Sequence, residues 1–94
     1  MTKIEGIIEM IEDGMRDARK ECMWTEEMQN GTDKEGAEMF RSEASKRLQS
    51  VKEMLDKHAQ ILEDPSAAPA IAKAWKKRLD AELVEKMNML QKYK

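Results

Sequence analysis

A run of thirty residues, 33–62, contains no proline and only one glycine, and it constrains the fold more than any other part of the sequence. Apolar side chains recur along it with an average spacing near the 3.6 residues of an α-helix, while charged side chains occupy the other faces. The apolar positions are Ala37, Phe40, Ala44, Leu48, Val51, Leu55 and Leu62, with His58 at the step between the last two. Because one amphipathic helix cannot bury such a stripe by itself, the pattern predicts a helix that packs against other helices.

Two breaks in the pattern divide the chain into three predicted helices, at about 2–29, 33–62 and 68–92. In the first break, 30–33, Gly31 suits the left-handed conformation that ends a helix, and either Thr32 or Asp33 suits the N-cap of the next one. In the second break, Pro65 ends the preceding helix. Short connections make neighbouring helices antiparallel, so we expect an all-α fold of one domain, a three-helix up-down-up bundle. A homodimer that completes the core is a further expectation.

The first and third predicted helices carry stripes of their own. In the first helix the stripe is Ile4, Ile8, Ile11, Met15, Ala18 and Cys22, with Ile7 broadening it. In the third helix it is Ile71, Trp75, Leu79, Leu83, Met87 and Leu90, flanked by Ala72 and Val84. Both are predicted to pack against the stripe of 33–62.

Cysteine content and hydropathy indicate in which compartment the protein is found. One cysteine, Cys22, allows no internal disulfide. No apolar run approaches the ~20 residues that span a bilayer, and the first ten residues lack the apolar centre of a signal peptide. The sequence therefore predicts a cytoplasmic protein without a membrane span.

Charge is unevenly distributed along the chain. Residues 1–32 carry a net charge of −4, residues 33–64 carry −2 and residues 65–94 carry +4. The most basic patch lies on the third helix and consists of Lys73, Trp75, Lys76, Lys77 and Arg78. Such a patch is an ingredient of nucleic-acid or anionic-surface binding, but it is also typical of a solvated helix face. Because the whole chain has a net charge of −2, nucleic acid is the less favoured partner.

Residues that carry metal or nucleophilic chemistry are few. His58 and Cys22 are the only histidine and cysteine, and antiparallel packing would separate them by ~20 Å along the helices. Acidic pairs three residues apart, such as Glu35 with Glu38, are ingredients of a magnesium site, but the pairs along 33–62 lie near opposite ends of one predicted helix. The sequence therefore predicts no metal site, no cofactor and no enzymatic activity.

The first two predicted helices are similar to a known family. The residues that carry the similarity are Ile8-Glu9, Ile11-Glu12-Asp13 and Ala18-Arg19-Lys20-Glu21-Cys22, then Glu38-Met39-Phe40, Glu43-Ala44 and Lys52-Glu53-Met54-Leu55. In this register, residues 4–62 resemble a rubrerythrin-type, ferritin-like helical hairpin. In that family a glutamate and a Glu-x-x-His motif bind a di-iron centre, whereas the corresponding places here are Met15, Arg47 and Ser50. The resemblance implies a degenerate ferritin-like architecture without a metal site.

Apolar residues beyond the three stripes are the strongest functional signal. The chain has nine methionines, and Met10, Met23, Trp24, Met28, Met39 and Met89 lie beside or outside the stripes. An up-down-up arrangement would gather a cluster at one pole, made of Trp24, Met28, Met39, Phe40, Met87, Met89 and Tyr93. Two interpretations remain open, since these residues either complete the core or contact another protein.

From these observations we predict a small, non-enzymatic helical protein that acts through protein–protein interaction, as an adaptor, an inhibitor or an antitoxin-like protein. Its partner is an unidentified protein, with self-association as one form. The candidate contact residues are Trp24, Met28, Met39, Met89 and Tyr93.

Overall fold

Four α-helices make up the regular structure of the residues that the structure describes. The computed structural model describes residues 3–66 and 70–93, and the helices are α1 (Lys3–Gln29), α2 (Lys34–Lys57), α3 (Ala59–Glu63) and α4 (Ala70–Gln91). The described residues contain no strand, so the all-α prediction is confirmed. The predicted helix starts at residues 2 and 68 lie outside the described residues. The chain is elongated, with principal extents of 51 × 22 × 18 Å.

The predicted helix over 33–62 is interrupted at His58, so the prediction of one continuous helix is wrong there. His58 has φ −105° and ψ 11°, away from the α-helical values near −63° and −42°. Backbone bonds still cross the interruption, because the His58 N–H donates to the Met54 carbonyl and the Leu62 N–H donates to the His58 carbonyl. The apolar spacing continues through the break, and for that reason the sequence pattern did not reveal it.

The turn between α1 and α2 is capped by Asp33. Its Oδ1 accepts a hydrogen bond from the Gly36 N–H at 2.8 Å, which satisfies one of the free amides of the first helical turn. The predicted left-handed conformation of Gly31 is wrong, because no described residue has a positive φ. Instead the Gly31 N–H donates to the Met28 carbonyl at 3.2 Å and ends α1 with a tighter turn.

α1 and α2 pack along each other in opposite directions. Glu21 pairs with Arg47, and further along α1 Trp24 contacts Phe40, which comes earlier in α2. The buried residues between them include Ile4, Ile7, Ile11, Met15, Ala18, Cys22, Ala44, Leu48, Val51 and Leu55. Ile7, which was predicted to broaden the stripe, is buried, and Ile8, which was predicted on the stripe itself, is partly buried against the core. This hairpin holds most of the apolar core.

α4 lies against one side of the α1–α2 hairpin. It runs alongside α1, because Glu12 contacts Trp75 and Arg19 contacts Glu82. Its buried face is formed by Ala72, Leu79, Leu83 and Leu90, with Trp75 and Met87 partly buried. The prediction that Ile71 belongs to this face is wrong, since Ile71 is 72% exposed. One residue corresponds to ~100° around a helix, so Ala72 takes the buried position and Ile71 points away.

Candidate functional site

A groove of about 430 Å³ lies between α1 and α2 and contains two of the five predicted contact residues, Trp24 and Met39. Its apolar lining is Trp24, Met39 and Phe40, and its charged lining is Asp17, Lys20, Glu21, Glu43 and Arg47. We call this surface the α1–α2 groove. It forms because Trp24, near the end of α1, comes opposite the start of α2 when the short turn reverses the chain direction.

The aromatic part of the groove is half open to solvent. The rings of Trp24 and Phe40 are tilted by 54° with centroids 5.3 Å apart, a favourable aromatic geometry. Trp24 is nevertheless 39% exposed and Met39 is 57% exposed. Neither of them belongs to the buried apolar core or to the partly buried residues packed against it. The side chains of Trp24 and Met39 therefore leave apolar surface in contact with water.

Arg47 organises the charged part of the groove. Its Nε donates a hydrogen bond to Glu21 Oε1, and its Nη1 lies 3.9 Å from Asp17 Oδ2. The hydrogen bond to Glu21, together with the negative charge of that residue, raises the pKa of Arg47, so its positive charge is firmly held. Lys20 and Glu43 are exposed at the groove, and neither forms a salt bridge with another described residue.

The other predicted contact residues do not line the α1–α2 groove. Met28 is partly buried, with its sulfur against Gly36. Met89 lines a separate groove beside Glu26, and Met87 lines a third one beside Ser45. Tyr93 is partly buried and its carbonyl accepts a hydrogen bond from Arg41. The structure thus brings together Trp24, Met39 and Phe40 and distributes the rest.

Met10 and Met23, two further methionines outside the predicted apolar stripes, are 45% and 48% exposed.

The basic patch of α4 is divided by its own contacts. Lys76 is only 8% exposed, and its Nζ lies 2.8 Å from Asp80 and 3.6 Å from Glu63. Trp75 is partly buried and its Nε1 donates to Glu12 Oε1 at 2.5 Å. Lys73, Lys77 and Arg78 remain exposed. Two of the five predicted residues therefore serve to attach α4 to its neighbours.

A polar network between α1 and α4 was missed by the sequence reasoning. Arg19 donates two hydrogen bonds to the carboxylate of Glu82, at 2.7 and 2.8 Å, and a longer one of 3.4 Å to Glu12. Glu12 also accepts from Trp75, so four side chains connect the two helices. Glu12 and Arg19 are seven residues apart, and so are Trp75 and Glu82, so each pair lies on one side of its helix. This matched spacing is the sequence feature from which the network could have been predicted.

Reactive side chains are not assembled into a common site in the described part of the chain. Cys22 is buried, and burial raises the pKa of its thiol and keeps it protonated. His58 is partly buried at the junction of α2 and α3. Within residues 3–66 and 70–93, no group of three His, Cys, Asp or Glu side chains is placed to hold a metal ion. At the positions of the ferritin-like ligands, Met15 is fully buried and Ser50 is exposed.

The fold and the groove define an all-α protein with an exposed aromatic and methionine surface. Among the described helices, none combines the length and the apolar character that crossing a bilayer requires. Comparisons of the chain with protein-family models, with curated proteins and with solved structures found no match.

Proposed function

We propose that this protein acts through protein–protein interaction and that the α1–α2 groove is its binding surface. The observation that carries the proposal is the exposure of Trp24 and Met39 beside Phe40, in a groove large enough to receive side chains of another helix. Tryptophan supplies a large contact area, and methionine adapts its shape to an irregular partner. In this role the protein is a non-enzymatic adaptor or inhibitor.

The proposal includes an up-down-up bundle of three helical segments, in which α2 and α3 together form the second segment. The opposite directions of α1 and α2 and the shared direction of α1 and α4 support it. In such a bundle α4 covers one face of the hairpin, and the α1–α2 groove lies on the other face. An apolar stripe of a helix is buried when another element packs on it, so a partner at the groove completes the packing.

Site-specific photocrosslinking in the native cell tests this proposal. A benzophenone side chain replaces Met39 in one variant, and in a matched control it replaces Val84, an exposed apolar residue on α4. Position 39 is expected to form an adduct with a protein, which mass spectrometry then identifies, whereas position 84 is expected to form none. An absence of adducts at position 39, or equal yields at both positions, would contradict the proposal.

A second variant checks that the groove is a surface and not a part of the core. Replacing Trp24 by glutamate in the chain that carries the benzophenone at position 39 is expected to abolish the adducts and to leave the far-UV circular dichroism unchanged, because the Trp24 side chain is already in contact with water. Loss of helicity in this variant would show that Trp24 supports the core.

Anionic-surface binding by α4 is the second candidate function. The exposed side chains of Lys73, Lys77 and Arg78, for which no salt bridge is formed among the described residues, favour it. Binding to a DNA duplex or to acidic vesicles should then weaken steeply as the salt concentration rises, and a flat response would remove this candidate.

A further inference from the structure

Two matching stripes of side chains pass through the α1–α2 groove and extend beyond one end of it. They are the α1 stripe, Met10, Asp17 and Trp24, and the α2 stripe, Phe40, Arg47 and Met54. Members of each stripe are seven residues apart, so they lie on one side of their helix. Each stripe is apolar at both ends and charged in the middle.

Contacts across the groove place the two stripes level with each other. Trp24 lies beside Phe40 at one end, and Asp17 lies beside Arg47 in the middle. At the other end Met54 packs near Gly14, one turn after Met10 in α1. Apolar groups therefore face apolar groups, and the charges in the middle are of opposite sign.

α4 leaves these stripes uncovered. α1 contacts α4 through Glu12 and Arg19, and at ~100° per residue Arg19 and Asp17 point about 160° apart around α1. The exposures agree for the α1 stripe, since Met10 is 45% and Trp24 is 39% exposed, whereas Phe40 and Met54 of the α2 stripe are partly buried.

We propose that a second copy of this chain covers the groove, related by a two-fold axis that runs along the groove. This inference rests on the proposed function and names the partner. Rotation about such an axis places α1 of one copy over α2 of the other, antiparallel and at the same height. Trp24 then packs on Met39 and Phe40 of the second copy, and Met10 packs on Met54 of the second copy. Two hairpins form a four-helix core, with each α4 on the outside.

Charge complementarity is the reason to choose a second copy. Lys20 is one turn before Trp24, and Glu43 is one turn after Phe40, so these two residues are at the same height on opposite helices. In the two-fold dimer each Lys20 faces Glu43 of the other copy, and the pair occurs twice. A two-fold interface requires a surface that is complementary to itself, and the charges of this groove meet that requirement.

Mixing two charge-reversal variants tests the proposal. Lys20→Glu has glutamate at both positions and Glu43→Lys has lysine at both, so each homodimer contains two like-charge pairs. Each variant alone is expected to dimerise roughly tenfold more weakly than the unmodified chain. An equimolar mixture is expected to recover the original affinity, because both cross-pairs in the heterodimer are then attractive. Pairing within one chain cannot produce this recovery, since residues 20 and 43 of each variant carry the same charge.

Sedimentation velocity of the full chain over a range of concentrations provides the measurement. Lys77→Glu, a charge reversal on the exposed side of α4, is the matched control and is expected to dimerise as the unmodified chain does. A mixture no tighter than its components would overturn the proposal, and so would an unmodified chain that stays monomeric at ~1 mM.

The two proposals fail separately. If the unmodified chain is monomeric and position 39 crosslinks to a different protein, the second copy is the wrong partner and the binding role of the groove stands. If position 39 forms no adduct at all, both proposals are wrong.

Discussion

Replacing Arg19 by methionine tests how firmly α4 is attached to the α1–α2 hairpin. Arg19 holds Glu82 of α4 through two parallel hydrogen bonds of 2.7 and 2.8 Å, and it reaches Glu12 at 3.4 Å. Methionine keeps a long apolar side chain, so the variant removes the charged hydrogen bonds and retains most of the packing.

The expected loss of stability lies between two limits. A hydrogen bond to a charged group contributes ~1.5–3 kcal/mol when it is shielded from water, whereas an exposed ion pair contributes ~0–1 kcal/mol. The side chains of Arg19 and Glu82 are 39% and 27% exposed, so solvent screening reduces the first value substantially. Lys86 lies 3.9 Å from Glu82 and compensates part of the lost charge. We expect a loss of about 1.5 kcal/mol, which for a domain of this size lowers the melting temperature by roughly 6–12 °C.

Urea denaturation at pH 7 measures this loss, and Arg16→Met is the matched control. Arg16 pairs with Asp13 at 3.4 Å, but both side chains are at least 60% exposed, so its replacement should cost less than about 0.5 kcal/mol. Equal unfolding free energies for the two variants would refute the reasoning, because the Arg19 contact would then contribute no more than an ordinary surface pair.

Acid provides a second check on the same contact. The hydrogen bonds from Arg19 lower the pKa of Glu82. A carboxylate whose folded pKa is lowered stabilises the fold above its unfolded pKa, and this contribution is lost as the pH falls through the folded value. The difference in stability between the unmodified chain and Arg19→Met should therefore be complete at pH 7 and should shrink below pH ~4. A difference that stays constant down to pH 2 would exclude a charged Glu82 as its source.

Two further predictions concern the hairpin itself. Leu48→Ala removes a fully buried side chain and should lower the unfolding free energy by ~2–5 kcal/mol, measured by urea denaturation; a loss below 1 kcal/mol would show that the core is loosely packed. Asp33→Ala removes the side-chain cap of α2 and should lower the unfolding free energy by about 1 kcal/mol, whereas Asp33→Asn, which keeps an acceptor, should lower it by clearly less. Equal losses for the two Asp33 variants would contradict the capping role.

The helical hairpin was predictable because its pattern is redundant. Leu48, Val51 and Leu55 repeat at steps of three and four, and no other secondary structure places all of them on one side. Errors arose where apolar residues are adjacent in sequence. At Ile7 and Ile8, and again at Ile71 and Ala72, either neighbour satisfies the spacing, and only the direction from which another helix approaches decides which one is buried.

The contacts of α4 were less predictable because they depend on the pairing of helices. Lys76 reads as part of a basic run, yet it is buried, and its Nζ lies 3.6 Å from Glu63 of α3 in addition to its closer pair with Asp80. Trp75 reads as an apolar residue, yet its N–H donates to Glu12, 63 residues away. Glu63 and Glu12 are distant from these residues in sequence. A run of charged residues does not indicate which of its side chains will pair with residues on another helix.

The exposure of the apolar residues in the groove was also hard to predict from the sequence. The sequence contains more apolar residues than three stripes require, and an excess of this kind either widens the core or remains at the surface. In the structure Trp24 and Met39 are exposed, while small residues of the same two helices, Ala18 and Ala44, are fully buried. Which apolar residues stay at the surface depends on how the helices pack. A layer added from outside, by another protein or by a second copy of the chain, would remove Trp24 and Met39 from water.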